Sequence, residues 1–139
     1  MKSALLLEYD DQARMHTAGL LKSIGYAVAF AATPQAALRS VQALRFDAVL
    51  TCTGFNAQDR RSLIGELARL APEAHIVQLL DADASGCGHE RAAALLFKPV
   101  TVRGLRRVLE FGIDGLGMRV AAPAVSCERR HGQRRRQMR

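Results

Sequence analysis

Cysteine is scarce in this 139-residue chain, and the three present, Cys52, Cys87 and Cys127, are scattered without metal-ligand spacing. An odd, sparse set excludes a disulfide framework and points to a reducing compartment, with a bacterial cytoplasm as the expectation. No apolar run approaches the roughly 20 residues of a membrane helix. The apolar stretch Ala4-Leu5-Leu6-Leu7 is ended by Glu8, Asp10 and Asp11, too early for a signal peptide. There is no glycine-rich phosphate loop and no Ser/His/Asp or Cys/His constellation, so enzymatic chemistry is not expected. His75 and His89 lack zinc-ligand spacing, and neither a metal nor a cofactor is expected.

Acidic residues are nearly missing from the C-terminal segment. Residues 119–139 hold seven arginines and one glutamate, a net of +6. Residues 1–118 hold 13 Lys/Arg and 12 Asp/Glu, a net of +1. The chain therefore divides into a nearly neutral domain, 1–118, and a linker with an arginine-rich tail, 119–139, without an apolar stripe and expected to be disordered when free. An apolar content of 49% suits a globular core in the first part.

Strand and helix patterns alternate through that domain. Leu5-Leu6-Leu7 reads as a strand, and residues 10 to 24 as a helix with Ala13, Leu20, Leu21 and Ile24 on one face and Gly25 as its stop. His16 leans inward on that helix as a hydrogen-bonded core residue. Tyr26 to Ala31 is a second strand, and Thr33-Pro34 opens a helix to about Leu44. Ala48 to Thr51 is a third strand; a loop from Thr53 to Ala57 and a helix from about Gln58 to Leu70 follow, broken by Pro72. His75 to Leu80 is strand four, Asp81 to Gly88 a loop, Leu95 to Phe97 strand five. Thr101 caps a last helix to about Phe111. Five β/α repeats predict an α/β fold: a doubly wound, five-stranded parallel sheet of flavodoxin-like order. Ligand sites in such sheets lie at the carboxyl ends of the strands, here Glu8, Cys52, Asp81 and Lys98.

Across about residues 3 to 112 the chain resembles response-regulator receiver domains. The segments that carry the resemblance are Leu5-Leu6-Leu7-Glu8-Tyr9-Asp10-Asp11 with Arg14, Phe46-Asp47-Ala48-Val49-Leu50, and Phe97-Lys98-Pro99. It implies a phosphoacceptor aspartate after strand three, two acidic magnesium ligands after strand one, a Ser or Thr switch after strand four, and a lysine followed by a cis proline. Aligned so, the acidic pair is Glu8 and Tyr9, the phosphoacceptor slot is Cys52, the switch slot is Asp81 and the lysine is Lys98. The aromatic position of strand five is Leu95. Asp47 matches a structural residue of the family. The stretch between strand four and Lys98 is short for the family, which implies a shortened or melted fourth helix.

These departures make a degenerate site, since a thiol is neither a hard ligand nor an anionic oxygen. Cys52 reads as an inert apolar filler or as a thiol tuned by Lys98, Glu8 and Asp81. Glu8, Asp81 and Lys98 read as a standing ion pair that mimics one switch state, or as a solvated relic. The expected function is a phosphorylation-independent pseudo-receiver, a protein–protein interaction module of bacterial two-component signal transduction. It would dock a signalling protein or a second copy of itself through its first or last helix and the strand-five edge. The alternative is a regulator acting through Arg129, Arg130, Arg134, Arg135, Arg136 and Arg139. That tail reads as a solvated extension, as a contact for nucleic acid or an acidic protein, or as the arginine arm that opens PilZ domains, which bind cyclic di-GMP. No aromatic interleaves the arginines, so base stacking is not expected.

Overall fold

The structure is a computed structural model that describes residues 1–52, 57–80 and 94–110. Its elements are β1 (Lys2–Leu7), α1 (Asp11–Ser23), β2 (Tyr26–Ala31), α2 (Pro34–Ala43), β3 (Ala48–Thr51), α3 (Ala57–Leu70), β4 (His75–Leu80), β5 (Ala94–Phe97) and α4 (Val102–Glu110). All strand pairings are parallel, in the order β2-β1-β3-β4-β5. Order and direction are those of the flavodoxin-like sheet expected from the β/α alternation.

β1 and β3 lie inside the sheet and are apolar on both faces, as strands covered from both sides must be. Ala4 to Leu7 and Ala48 to Leu50 are fully buried. One core layer joins Leu6, Leu50 and Leu79 to Leu21 of α1 and to Leu105 and Val108 of α4. The other joins Leu5, Val49 and Ile76 to Ala37 and Val41 of α2 and to Leu63 and Leu67 of α3. Each buried leucine contributes roughly 1.5–3 kcal/mol of transfer free energy.

The helix ends follow from local chemistry. Asp10 caps α1, its carboxylate accepting from the Ala13 amide at 2.8 Å. Gly25, at φ 99°, closes α1 in a left-handed turn, its amide donating to the Lys22 carbonyl at 3.1 Å. Thr33 caps α2 from the residue before Pro34, and Thr101 caps α4 by accepting from the Gly104 amide at 3.0 Å. A side chain at Gly104 would start 3.0 Å from Leu96 Cδ1, so glycine lets α4 sit close on β5.

The face of α1 expected to turn inward does pack on the sheet through Leu20, Leu21 and Ile24, but its most buried part extends to Thr17 and Ala18. Thr17, Ala18 and Leu21 are its buried residues, while Leu20 and Ile24 are only partly covered. Its apolar stripe is short and includes a threonine, which period-matching on aliphatic residues passes over. His16 is exposed and not a core residue, although Nε2 lies 2.8 Å from the Val100 carbonyl. Of the expected loop from Thr53 to Ala57, Ala57 opens α3 and the rest lies outside the described residues, as do the expected fourth helix between β4 and Lys98, the tail, Asp81, Cys87, His89 and Cys127.

Candidate functional site

Parallel strands bring Leu7, Thr51, Leu80 and Phe97 to one edge of the sheet, so the residues that follow them share a surface. Glu8 leaves β1 there and is only 4% exposed. Cys52 leaves β3, its amide donating to the Leu7 carbonyl at 2.8 Å, and is 2% exposed. Lys98 leaves β5, held by its amide on the Leu80 carbonyl at 2.7 Å and followed by a cis peptide to Pro99.

The side chains then close on one another. Lys98 Nζ lies 2.7 Å from Glu8 Oε1. The other carboxylate oxygen of Glu8 accepts from the Asp10 amide at 3.2 Å, which fixes the turn into α1. Arg14 Nη1 donates to the Glu8 carbonyl at 3.4 Å, and its Nη2 pairs with Asp11 at 2.6 Å. Because β3 and β4 separate β1 from β5, the Lys98–Glu8 pair passes over the end of β3, where Cys52 begins. Tyr9 stands 44% exposed beside this pair; burial, and then the neighbouring Cys52 thiol, push its phenol pKa above the ordinary value.

A second tie runs parallel to the first. The His16–Val100 contact links α1 to the loop that carries Lys98. A hydrogen bond at His16 is expected from the sequence, but nothing there points to Val100 as the partner.

The structure thus brings together Glu8, Tyr9, Cys52 and Lys98 of the expected site. Asp81 and the arginines at 129, 130, 134, 135, 136 and 139 lie outside the described residues. Leu95 is buried in β5, and the aromatic of that strand, Phe97, is partly exposed at its end. Thr51 and Gln78 are register partners on β3 and β4 and are fully buried. Neither the Thr51 hydroxyl nor either end of the Gln78 amide has a hydrogen-bond partner among the described residues. At the opposite end of the strands, a recess of about 380 Å³ separates the ends of α2 and α3, with Leu44, Arg45, Pro72 and Glu73 on its rim. The Arg45–Glu73 ion pair crosses it at 3.2 Å.

No protein-family model matches the chain, and no curated protein does. Solved structures do. A response regulator protein from Burkholderia pseudomallei, with a phosphorylated aspartic acid, a calcium ion and citrate, is similar at TM-score 0.68 and 27% identity, over 79% of this chain and 67% of that one. The receiver domain of a sensor histidine kinase from Pseudomonas aeruginosa, with magnesium coordinated in its active-site cleft, is similar at TM-score 0.66 and 24% identity, over 79% and 95%. A chain from a complex of a histidine kinase with a response regulator protein matches at TM-score 0.64 and 19% identity, over 77% and 94%. The chain has the receiver, CheY-like fold. No helix among the described residues is long and apolar enough to cross a membrane.

The described donors do not suit the magnesium held by such a cleft. Magnesium takes oxygen ligands in near-octahedral array, usually through one or two carboxylates. Here Glu8 is already engaged by an ammonium, Asp10 caps α1, Asp11 pairs with Arg14, and Tyr9 and Cys52 add a phenol and a buried thiol. No group of three or more His, Cys, Asp or Glu residues is placed to hold a metal among the described residues.

Proposed function

We propose that this chain is a receiver-like signalling module that works without phosphorylation, binding a partner rather than catalysing a reaction. The observation that carries this reading is the Lys98–Glu8 pair, closed at 2.7 Å over the end of β3, where a thiol follows the strand. In phosphoryl transfer a lysine and a metal neutralise charge that develops on the phosphoryl oxygens. In this chain the lysine already neutralises a carboxylate, and the acceptor slot is Cys52.

The pair is also a reason for a fixed conformation. A buried ion pair is costly to open, because separating it leaves a charge in a poorly solvated place. The loop after β5 is tied to the loop after β1 by that pair and to α1 by the His16–Val100 contact. Residues 1–118 then act as a preset docking domain, joined to the arginine-rich segment 119–139. The docking elements in this reading are α1 or α4 with the edge of β5, and the partner is a signalling protein or a second copy of the chain. The similarity to a chain of a kinase–regulator complex makes a histidine kinase a reasonable class to try first.

A magnesium titration followed by backbone amide NMR tests the reading. The expected result is no saturable shift of the Glu8, Tyr9, Cys52 or Lys98 amides at millimolar metal. A saturable shift at these amides would mean that the site still holds a divalent ion and retains part of the phosphorylation machinery.

A further inference from the structure

β2 ends the sheet, and no strand among the described residues pairs with its outer edge. Such an edge carries a row of unpaired N–H and C=O groups, and folded proteins guard it with charge, proline, a bulge or a very short strand. β2 has none of these guards. Its six residues, Tyr26-Ala27-Val28-Ala29-Phe30-Ala31, include no charge and no proline, and they pair one to one with β1, without a bulge. Residues 23–38, sixteen in a row, hold no Asp, Glu, Lys, Arg or His, so the turns at both ends of the strand are uncharged too. Tyr26 and Ala31 are buried, but the four residues between them are all at least partly exposed, Phe30 at 51%. The other edge of the sheet differs: β5 is four residues long and runs into Lys98 and Pro99.

We propose that β2 is a docking edge for a second copy of the chain, the two β2 strands pairing antiparallel about a twofold axis to make one sheet through both protomers. The proposal is independent of the Glu8–Lys98 site and uses the opposite edge of the sheet from β5. The occupant is a strand, because only a strand satisfies a row of edge amides and carbonyls. It is uncharged along its length, since a charge laid against this edge would lose water and meet no counter-charge. A second β2 meets both conditions. A twofold axis normal to the sheet makes the pairing antiparallel and keeps like faces together. Phe30 is in register with Leu6 and so lies on the α1 side, with Tyr26 and Val28. With the axis at Val28, each Phe30 falls opposite Tyr26 of the other copy; with the axis at Ala29, it falls opposite Val28. Aromatic–aromatic and aromatic–β-branched pairs are both favourable cross-strand neighbours. The α2 side of the strand presents only Ala27, Ala29 and Ala31, which leave room for close approach. Pairing β2 with β5 of another copy would instead build an open chain of protomers and bring Lys98 and Pro99 to the junction.

The test is sedimentation equilibrium of the full-length chain over concentrations from about 1 to 100 μM, with hydrogen exchange of the β2 amides at both ends of the range. Phe30→Lys and Ala27→Lys place a charge at the two exposed positions of the edge. Leu44→Lys makes the same kind of change at a residue 62% exposed on the rim of the α2–α3 recess. Unchanged far-ultraviolet circular dichroism confirms that each variant folds. The native chain is expected to dimerise within the range, and its outward β2 amides to exchange more slowly at the high end. Phe30→Lys and Ala27→Lys are expected to weaken the dimer roughly tenfold or more, because a twofold interface suffers each change twice. Leu44→Lys is expected to dimerise like the native chain. A dimer that both edge variants leave intact, or β2 amides that exchange alike at both ends of the range, would overturn the proposal. A native chain that stays monomeric throughout would overturn it too, and would leave the edge to an extended segment of another protein.

Discussion

Lys98 Nζ sits 2.7 Å from Glu8 Oε1, joining the loop after β5 to the loop after β1 over the two strands between them. The glutamate side chain is 3% exposed and the lysine 20%, so water screens this pair far less than the surface pairs of α1, α3 and α4. Lys98→Met strands the Glu8 carboxylate in the protein and is expected to cost about 3 kcal/mol of stability. Glu8→Gln/Lys98→Met removes both charges and is expected to recover a good part of that loss. Urea denaturation of the native chain, the two single variants and the double variant measures it; a double loss equal to the sum of the single losses would show that the two residues are not coupled.

Gln78 sits in β4 with its amide buried and unpartnered among the described residues, opposite the similarly placed Thr51 hydroxyl. A buried polar group without a partner costs about 1–3 kcal/mol. Gln78→Met keeps the shape of the side chain and removes that cost. Its melting temperature is expected to rise, by roughly 4–8 °C for each kcal/mol gained in a domain of this size. A lower melting temperature would indicate that Gln78 makes a hydrogen bond that supports the fold.

Asp47 staples the start of β3 to the start of β1. Its carboxylate accepts from the Ser3 amide at 2.8 Å, and its own amide donates to the Ser3 carbonyl at 2.8 Å. Asp47→Ala is expected to destabilise the domain by about 2 kcal/mol, the scale of a hydrogen bond to a charged group. Asp47→Asn keeps an acceptor and is expected to lose less. Denaturation midpoints of the two variants provide the comparison.

His75 opens β4, where burial first, and then the charge of Lys2, lower its pKa below the usual 6.5, with Asp47 opposing. The folded state therefore binds fewer protons than the unfolded chain just below pH 6.5. The contribution of His75 to stability is present above that value and falls as acid is added. His75→Gln is expected to flatten the decline in melting temperature between pH 7.5 and 5.5 relative to the native chain. An identical decline in both would show that His75 does not titrate differently on folding.

Much of this architecture was legible in the residues. The bounds of β2, β3 and β4 follow from apolar runs with clear punctuation at Gly25, Thr33-Pro34 and Pro72. The caps at Thr33 and Thr101 and the left-handed Gly25 are local chemistry that a sequence states directly. The place of the site was legible from the expected sheet, whose strand ends carry Glu8, Cys52 and Lys98, while the roles of these residues came only from the resemblance. What escaped depends on tertiary packing. The most buried part of α1 extends to the small residues Thr17 and Ala18, which carry a weak apolar signal, and the partner of His16 depends on where the β5–α4 loop falls. Gln78 hid inside the apolar run Ile76 to Leu80, where nothing local marks a buried amide.

The central claim is that the chain works without accepting a phosphoryl group on a carboxylate. Intact-protein mass after incubation with acetyl phosphate and magnesium tests it most directly, with Cys52→Asp as a parallel sample. The account predicts no adduct on the native chain. A gain of one phosphoryl group on the native chain, mapped by peptide fragmentation to Asp10, Asp81 or another carboxylate, would contradict it and restore a phosphorylation switch.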